Sequence, residues 1–227
     1  MIIAIDAAHG GMDLGDFHEE LEEKQFNLKV ATLAGIMLQT HGADVIQMRS
    51  DDTQGLFQRD KLDILEETKA DAYIQIHHNR YEDGGRGVQV VKSVRDPEQS
   101  DLLAAHIILR YRALMPDHES RGITTKQNDK GQDAYQMFRS LNIPAVQVNG
   151  ASLIEDREYL SSDYFLLTEA MAIAQGVLKF FGHSVTPWVM ATPDLTQTEI
   201  ISLRKANDAL RVRLEGAKKL AREVLEQ

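Results

Sequence analysis

The stretch Ile3-Ala4-Ile5-Asp6-Ala7-Ala8-His9-Gly10-Gly11 decides how this chain folds. A short apolar run ends in a glycine-rich turn, and a histidine stands at the junction. The run Met1–Asp6 predicts a buried strand. Ala43–Met48, Ala72–His77, Val88–Val91, Tyr135–Phe138 and Ala145–Val148 predict further strands. Lys24–His41 and Pro97–Leu114 carry helical spacing, and Glu155–Phe181 reads as largely helical. Asp52 reads as the cap of another helix, reaching about Lys69. Strands alternating with helices predict an α/β fold, with a single twisted, mostly parallel sheet covered by helices on both faces. Sites in such sheets form beyond the carboxyl ends of the strands. His9, His77 and Asn149 all fall at or just after predicted strand ends, so distant segments converge on one rim.

Two residues join His9 in a metal-ligating set. They are Glu23 in Glu22-Glu23-Lys24 and His77 in Ile76-His77-His78-Asn79. Two imidazoles and one carboxylate suit Zn²⁺ and leave a fourth position for water. The glycines after His9 let the backbone fold tightly around it. The chain has no cysteine, so disulfides and thiolate metal sites are excluded. A lone histidine after a strand is more often a structural residue, and it is the combination that points to a ligand. Glu23 lies among Glu19, Glu20 and Glu22, a run that also reads as a solvated face or a favourable helix-start charge.

Composition bounds the function. With 227 residues, 43% apolar and 26% charged, the chain suits one well-buried core plus an appendage. The net charge is −10, while residues 184–227 carry 7 basic and 6 acidic residues, so the acidity lies in the body. An acidic body excludes nucleic acid as the main partner. No run approaches the ~20 apolar residues of a membrane span. The first apolar run is too short for a secretory signal and lacks a basic flank. Residues 1–182 read as the catalytic domain and residues 183–197, with Pro187 and Pro193, as a linker. Residues 198–227 read as an amphipathic C-terminal helix in which Leu203, Leu210, Ala217 and Val224 repeat every seven residues. That stripe suits packing on the domain or a short coiled coil that makes a homodimer.

In order along residues 1–182, these segments resemble the zinc-dependent N-acetylmuramoyl-L-alanine amidases of the Amidase_3 type. The resemblance rests on Ile3–Gly11 with Asp13 and Gly15, Glu23-Lys24, Arg49 with Asp52, and Leu56 with Arg59. It continues through Ala70-Asp71, Ile76-His77-His78-Asn79, Gly87, Arg121-Gly122 and Pro144-Ala145-Val146. It implies that His9, Glu23 and His77 are zinc ligands. It also implies a substrate, bacterial peptidoglycan, cut between N-acetylmuramic acid and the first alanine of the stem peptide. With no signal visible, the expected route is synthesis in the cytoplasm and action at the cell wall, after release of the phage endolysin kind or after export if a signal was removed.

The departures are informative. Where the family carries its second catalytic glutamate, this chain reads Val146-Gln147-Val148-Asn149-Gly150. An amide can orient a water but cannot accept and return a proton, and losing a positioned base costs on the order of 10²- to 10⁴-fold in rate. Glu155, Glu22 and His78 are stand-in bases by proximity in sequence. The alternative is a pseudoenzyme that binds peptidoglycan without cutting it. Asn79 and Arg121 are expected to bind substrate, Arg121 by flanking the groove, with Asn79 also placed to orient a ligand imidazole, and Arg49 and Arg59 are expected to brace loops by ion pairs.

Overall fold

The apolar run at the N-terminus forms strand β1 (Ile2–Ala7), buried from Ile3 onward. A computed structural model describes residues 1–53 and 55–185, and Met1–Val185 make up one compact unit. After β1 come a small hairpin, β2 (Phe17–His18) and β3 (Leu21–Glu22), then helix α1 (Glu23–Thr40) and β4 (Asp44–Gln47). Helix α2 (Gln58–Thr68), β5 (Ala72–His77), β6 (Val88–Lys92) and α3 (Pro97–Leu114) follow. The described chain closes with β7 (Ser120–Thr124), α4 (Gln136–Ser140), β8 (Ala145–Asn149), α5 (Arg157–Leu160) and α6 (Asp163–Phe180).

Six strands form one sheet in the order β4-β1-β5-β8-β6-β7. All neighbours run parallel except β6 against β8. The central strands β1, β5 and β8 lack a polar outer face, because helices cover both sides. Ala4, Tyr73, Val91 and Ala145 turn to one side, onto Leu65 of α2 and Met137 and Phe138 of α4. By strand alternation Ile3, Ile5, Ile74, Ile76, Val146 and Val148 turn to the other, where α1, α3 and α6 pack. Each fully buried Ile or Val contributes roughly 1.5–3 kcal/mol relative to exposure, so both helix layers are needed to hold the sheet. The register sets His77 directly beside Asn149 at the carboxyl ends of β5 and β8.

Helix ends follow local chemistry. Pro97 opens α3, where the Asp96 side chain accepts from the Gln99 amide. Ser162 caps α6 by accepting from the Phe165 amide. Gly42, at φ 83°, follows α1 where a left-handed residue turns the chain.

Several expectations need correction. Tyr135–Phe138 is not a strand: Tyr135 precedes α4, which turns the adjacent Met137 and Phe138 together into the core. Asp52 caps no helix, because α2 begins only at Gln58, and Asp52 instead pairs with Lys24 Nζ at 3.0 Å. The predicted helix over Glu155–Phe181 is broken between Leu160 and Asp163, where Ser162 starts α6 afresh. Strand β7 was not expected, since Ser-Arg-Gly-Ile-Thr lacks an apolar period, yet it pairs along β6 at the sheet edge. The predicted helix over residues 198–227, and the homodimer through it, lie outside the described residues.

Candidate metal centre

His9 stands two residues past Ala7, the last residue of β1, in a left-handed conformation with φ 64°. That conformation costs a non-glycine residue roughly 1–2 kcal/mol, so the surrounding turn must enforce it. The turn is tied down by the Gly10 amide on Asp13 O (2.8 Å) and the Gly11 amide on Asp52 O (3.1 Å). The result aims the His9 ring back toward the first residue of α1.

That residue is Glu23, 1% exposed, at a helix N-terminus where the backbone dipole favours a negative charge. Its Oε2 accepts from the Asp16 amide at 2.8 Å and lies 3.4 Å from His9 Nε2. Its Oε1 accepts from the His78 amide at 3.1 Å and from Asn27 Nδ2 at 3.2 Å, and meets His77 Nδ1 at 2.8 Å. One donor atom from each of His9, Glu23 and His77 lies within 4.8 Å of the others, and this is the metal-capable group of three found among the described residues. Gly15 makes the closeness possible: at φ +70°, a Cβ there would lie 2.5 Å from His9 Cδ2 and 2.7 Å from Glu23 Oε2.

The electrostatics fit a cation. Burial alone would lower the His9 pKa, but hydrogen bonds and charge from Glu23 and Asp13 overrule it and push it up to about 9. Burial alone would raise Glu23, yet His77 and His9 hold its carboxyl far below the usual carboxylate range. A buried carboxylate thus stays ionised between two imidazoles. The opposite ring nitrogen of His9, Nδ1, meets Asp13 Oδ2 at 2.9 Å. A carboxylate behind the ring of a histidine ligand is the usual way to fix its tautomer. The donor set, the charge and this brace all suit a divalent ion of the zinc type.

The other expected residues fall as follows. Asn149 ends β8, 3% exposed, and its Oδ1 accepts from Gln147 Nε2 at 2.8 Å. The Glu155 carboxylate accepts from the Ser152 hydroxyl, and Glu22 pairs with Lys24 Nζ at 3.4 Å, so neither joins the group of three. Asn79 does not orient an imidazole, for its buried Oδ1 has no hydrogen-bond partner. Arg121 pairs with Asp83 at 2.6 Å and stacks on Tyr81, so its charge is already neutralised. Arg49 braces the rim mainly through backbone carbonyls: Ala7, Ala8, Lys24 and Asp51 all accept from it. Arg59 is exposed. His78 is fully buried and shares the network described below. Sequence reasoning missed Asn27, although it lies four residues from Glu23 on the same helix face. It also missed Glu169, which sits in an apolar run and carries no signal.

Comparisons with known proteins place the chain in a family. A sequence profile of the Amidase_3 family, described as N-acetylmuramoyl-L-alanine amidase, matches residues 3–179. The Staphylococcus aureus protein named "Probable cell wall amidase LytH" is 28% identical over 148 residues, which is 63% of this chain and 45% of that protein. This chain therefore spans less than half the length of that relative. Cwp6 from Clostridium difficile superposes with a TM-score of 0.74 at 25% identity, over 79% of this chain and 29% of that one. The CwlD amidase from Clostridioides difficile, solved in complex with the GerS lipoprotein, superposes with a TM-score of 0.71 at 22% identity, over 80% of this chain and 98% of that one. That last likeness is one of fold.

Proposed function

This chain belongs to the Amidase_3 family of N-acetylmuramoyl-L-alanine amidases, and on that premise we propose that it is a zinc hydrolase of peptidoglycan, slowed by Asn149. The bond cut is the amide between N-acetylmuramic acid and L-alanine of the stem peptide. The observation that carries the reading is the meeting of His9, Glu23 and His77 at the carboxyl rim of the sheet. These three residues would hold the ion through two imidazole nitrogens and a carboxylate oxygen. Zinc bound there supplies Lewis acidity for the scissile carbonyl and for water.

The chain's own residues do the rest. Asp13 fixes the His9 ring, and the amides of Asp16 and His78 hold the two oxygens of Glu23 apart. At the position of the family's glutamate, Asn149 has its carbonyl oxygen occupied by Gln147, so it offers amide protons. Those can orient an oxygen atom but cannot take up a proton. A second reading, a non-catalytic peptidoglycan-binding or regulatory module, is favoured by that amide.

Zinc content and product release from purified cell walls, for this chain and for Asn149→Glu, test the proposal. The parent is expected to carry about one zinc and to release product slowly, and Asn149→Glu to gain on the order of 10²- to 10⁴-fold. A zinc-loaded parent that releases nothing above a metal-stripped control supports the second reading. Neither zinc nor release in both chains rejects the zinc hydrolase.

A further inference from the structure

Behind the three converging side chains lies a buried carboxylate that the proposed reaction does not use. Glu169, in α6, has no exposed surface. Burying such a group costs several kcal/mol unless it is paired. Its Oε1 accepts from the Tyr111 hydroxyl at 3.0 Å, and its Oε2 meets His78 Nε2 at 3.1 Å. Gly150, next to Asn149, leaves the room: a Cβ there would lie 1.7 Å from Glu169 Oε1. The other nitrogen of the His78 ring, Nδ1, lies 2.8 Å from Asn27 Oδ1. Asn27 Nδ2 donates to Ala8 O and to Glu23 Oε1, both at 3.2 Å. An unbroken buried line thus runs Tyr111–Glu169–His78–Asn27–Glu23, from α3 through α6 into the site.

We propose that Glu169 is a positioning residue for Glu23, acting through His78 and Asn27. The inference rests on Glu23 being a metal ligand. The direction of each hydrogen bond carries it. Ala8 O and Glu23 Oε1 can only accept, so Asn27 must turn its amide nitrogen to them and its oxygen to His78. An amide oxygen also only accepts, so His78 Nδ1 must hold a proton. Nε2 then needs a partner of its own, and the Glu169 carboxyl group, 3.1 Å away, is that partner. Without Glu169 the Nδ1–H ring keeps an unpaired buried nitrogen. The proton is then free to move to Nε2, the Asn27 amide to flip, and an oxygen to face the Glu23 carboxylate.

The test compares Glu169→Gln with Glu169→Leu by zinc titration of the metal-free proteins, alongside nitrogen NMR of the His78 ring in the parent. In Glu169→Gln the amide oxygen still accepts from Tyr111 and the amide nitrogen donates to His78 Nε2. Zinc affinity is expected to stay within about threefold of the parent for Gln and to fall about 10- to 100-fold for Leu, the range for lost partners of metal ligands. The ring measurement is expected to find the proton on Nδ1. Equal affinity for Leu and parent, an equal loss for Gln and Leu, or a bare Nδ1 in the parent each overturns the proposal. Should the Leu chain not fold, the ring proton of the parent and the Gln affinity decide. A parent that binds no zinc rejects the metal reading, while the ring proton still judges the role of Glu169.

Discussion

His9 carries the largest share of the site's chemistry for one residue. Its ring is held between two carboxylates, Glu23 and Asp13, and retains its proton up to about pH 9. A zinc ligand must be neutral, so metal and proton compete for this ring. Binding is therefore expected to release about one proton at neutral pH, with affinity rising as pH climbs toward 9 and levelling above it. Calorimetry in buffers of different ionisation enthalpy reads the released proton; none released at neutral pH contradicts the account. In the metal-free chain the same shift acts on stability with the opposite trend. The His9–Glu23 contribution is full below the unfolded value near 6.5 and is lost as pH rises through about 9. His9, Glu23 and His77 were legible in the sequence because each stands at the end of an element, where position along the chain translates into position in space. Glu169 was illegible because nothing in Leu166-Leu167-Thr168-Glu169-Ala170 separates a buried charge from a solvated helix face.

At the scale of elements, the site depends on how α1, α3 and α6 stack on one face of the sheet. Helix α6 lies close against α3 at Gly176, where a Cβ would lie 2.6 Å from Ile107 Cα. Helix propensity alone favours Ala over Gly by about 1 kcal/mol. Here the clash is with backbone, so Gly176→Ala is expected to destabilise by about 1–3 kcal/mol despite that gain. Urea denaturation measures it, and a stabilised variant would show that the helices can separate freely. Strands β1, β5 and β8 were readable because burial on both faces leaves a mostly apolar run, interrupted by Asp6, Gln75 and Gln147 respectively, with a sharp end. Edge strand β7 and the short helix α4 were not, since pairing with β6 makes the first and a two-residue anchor, Met137 and Phe138, makes the second. The mid-chain break before Ser162 was missed because helix capping there interrupts an otherwise helical composition.

At the scale of the molecule, a body of strongly negative charge meets a proposed substrate whose surrounding polymers are often anionic as well. Long-range attraction cannot gather such a pair, so recognition has to come from contacts at the rim. Two positive groups near it, Arg121 and Arg80, are already bound to Asp83 and Asp16. That leaves the group of His9, Glu23 and His77 as the place where a cation would most change the local field. Zinc-edge X-ray absorption with anomalous diffraction on zinc-loaded crystals tests this most directly. The account predicts one ion per chain, bonded to both imidazoles and the Glu23 carboxylate at about 2.0–2.2 Å. Zinc found elsewhere, or these three side chains with no ion in common, would contradict it.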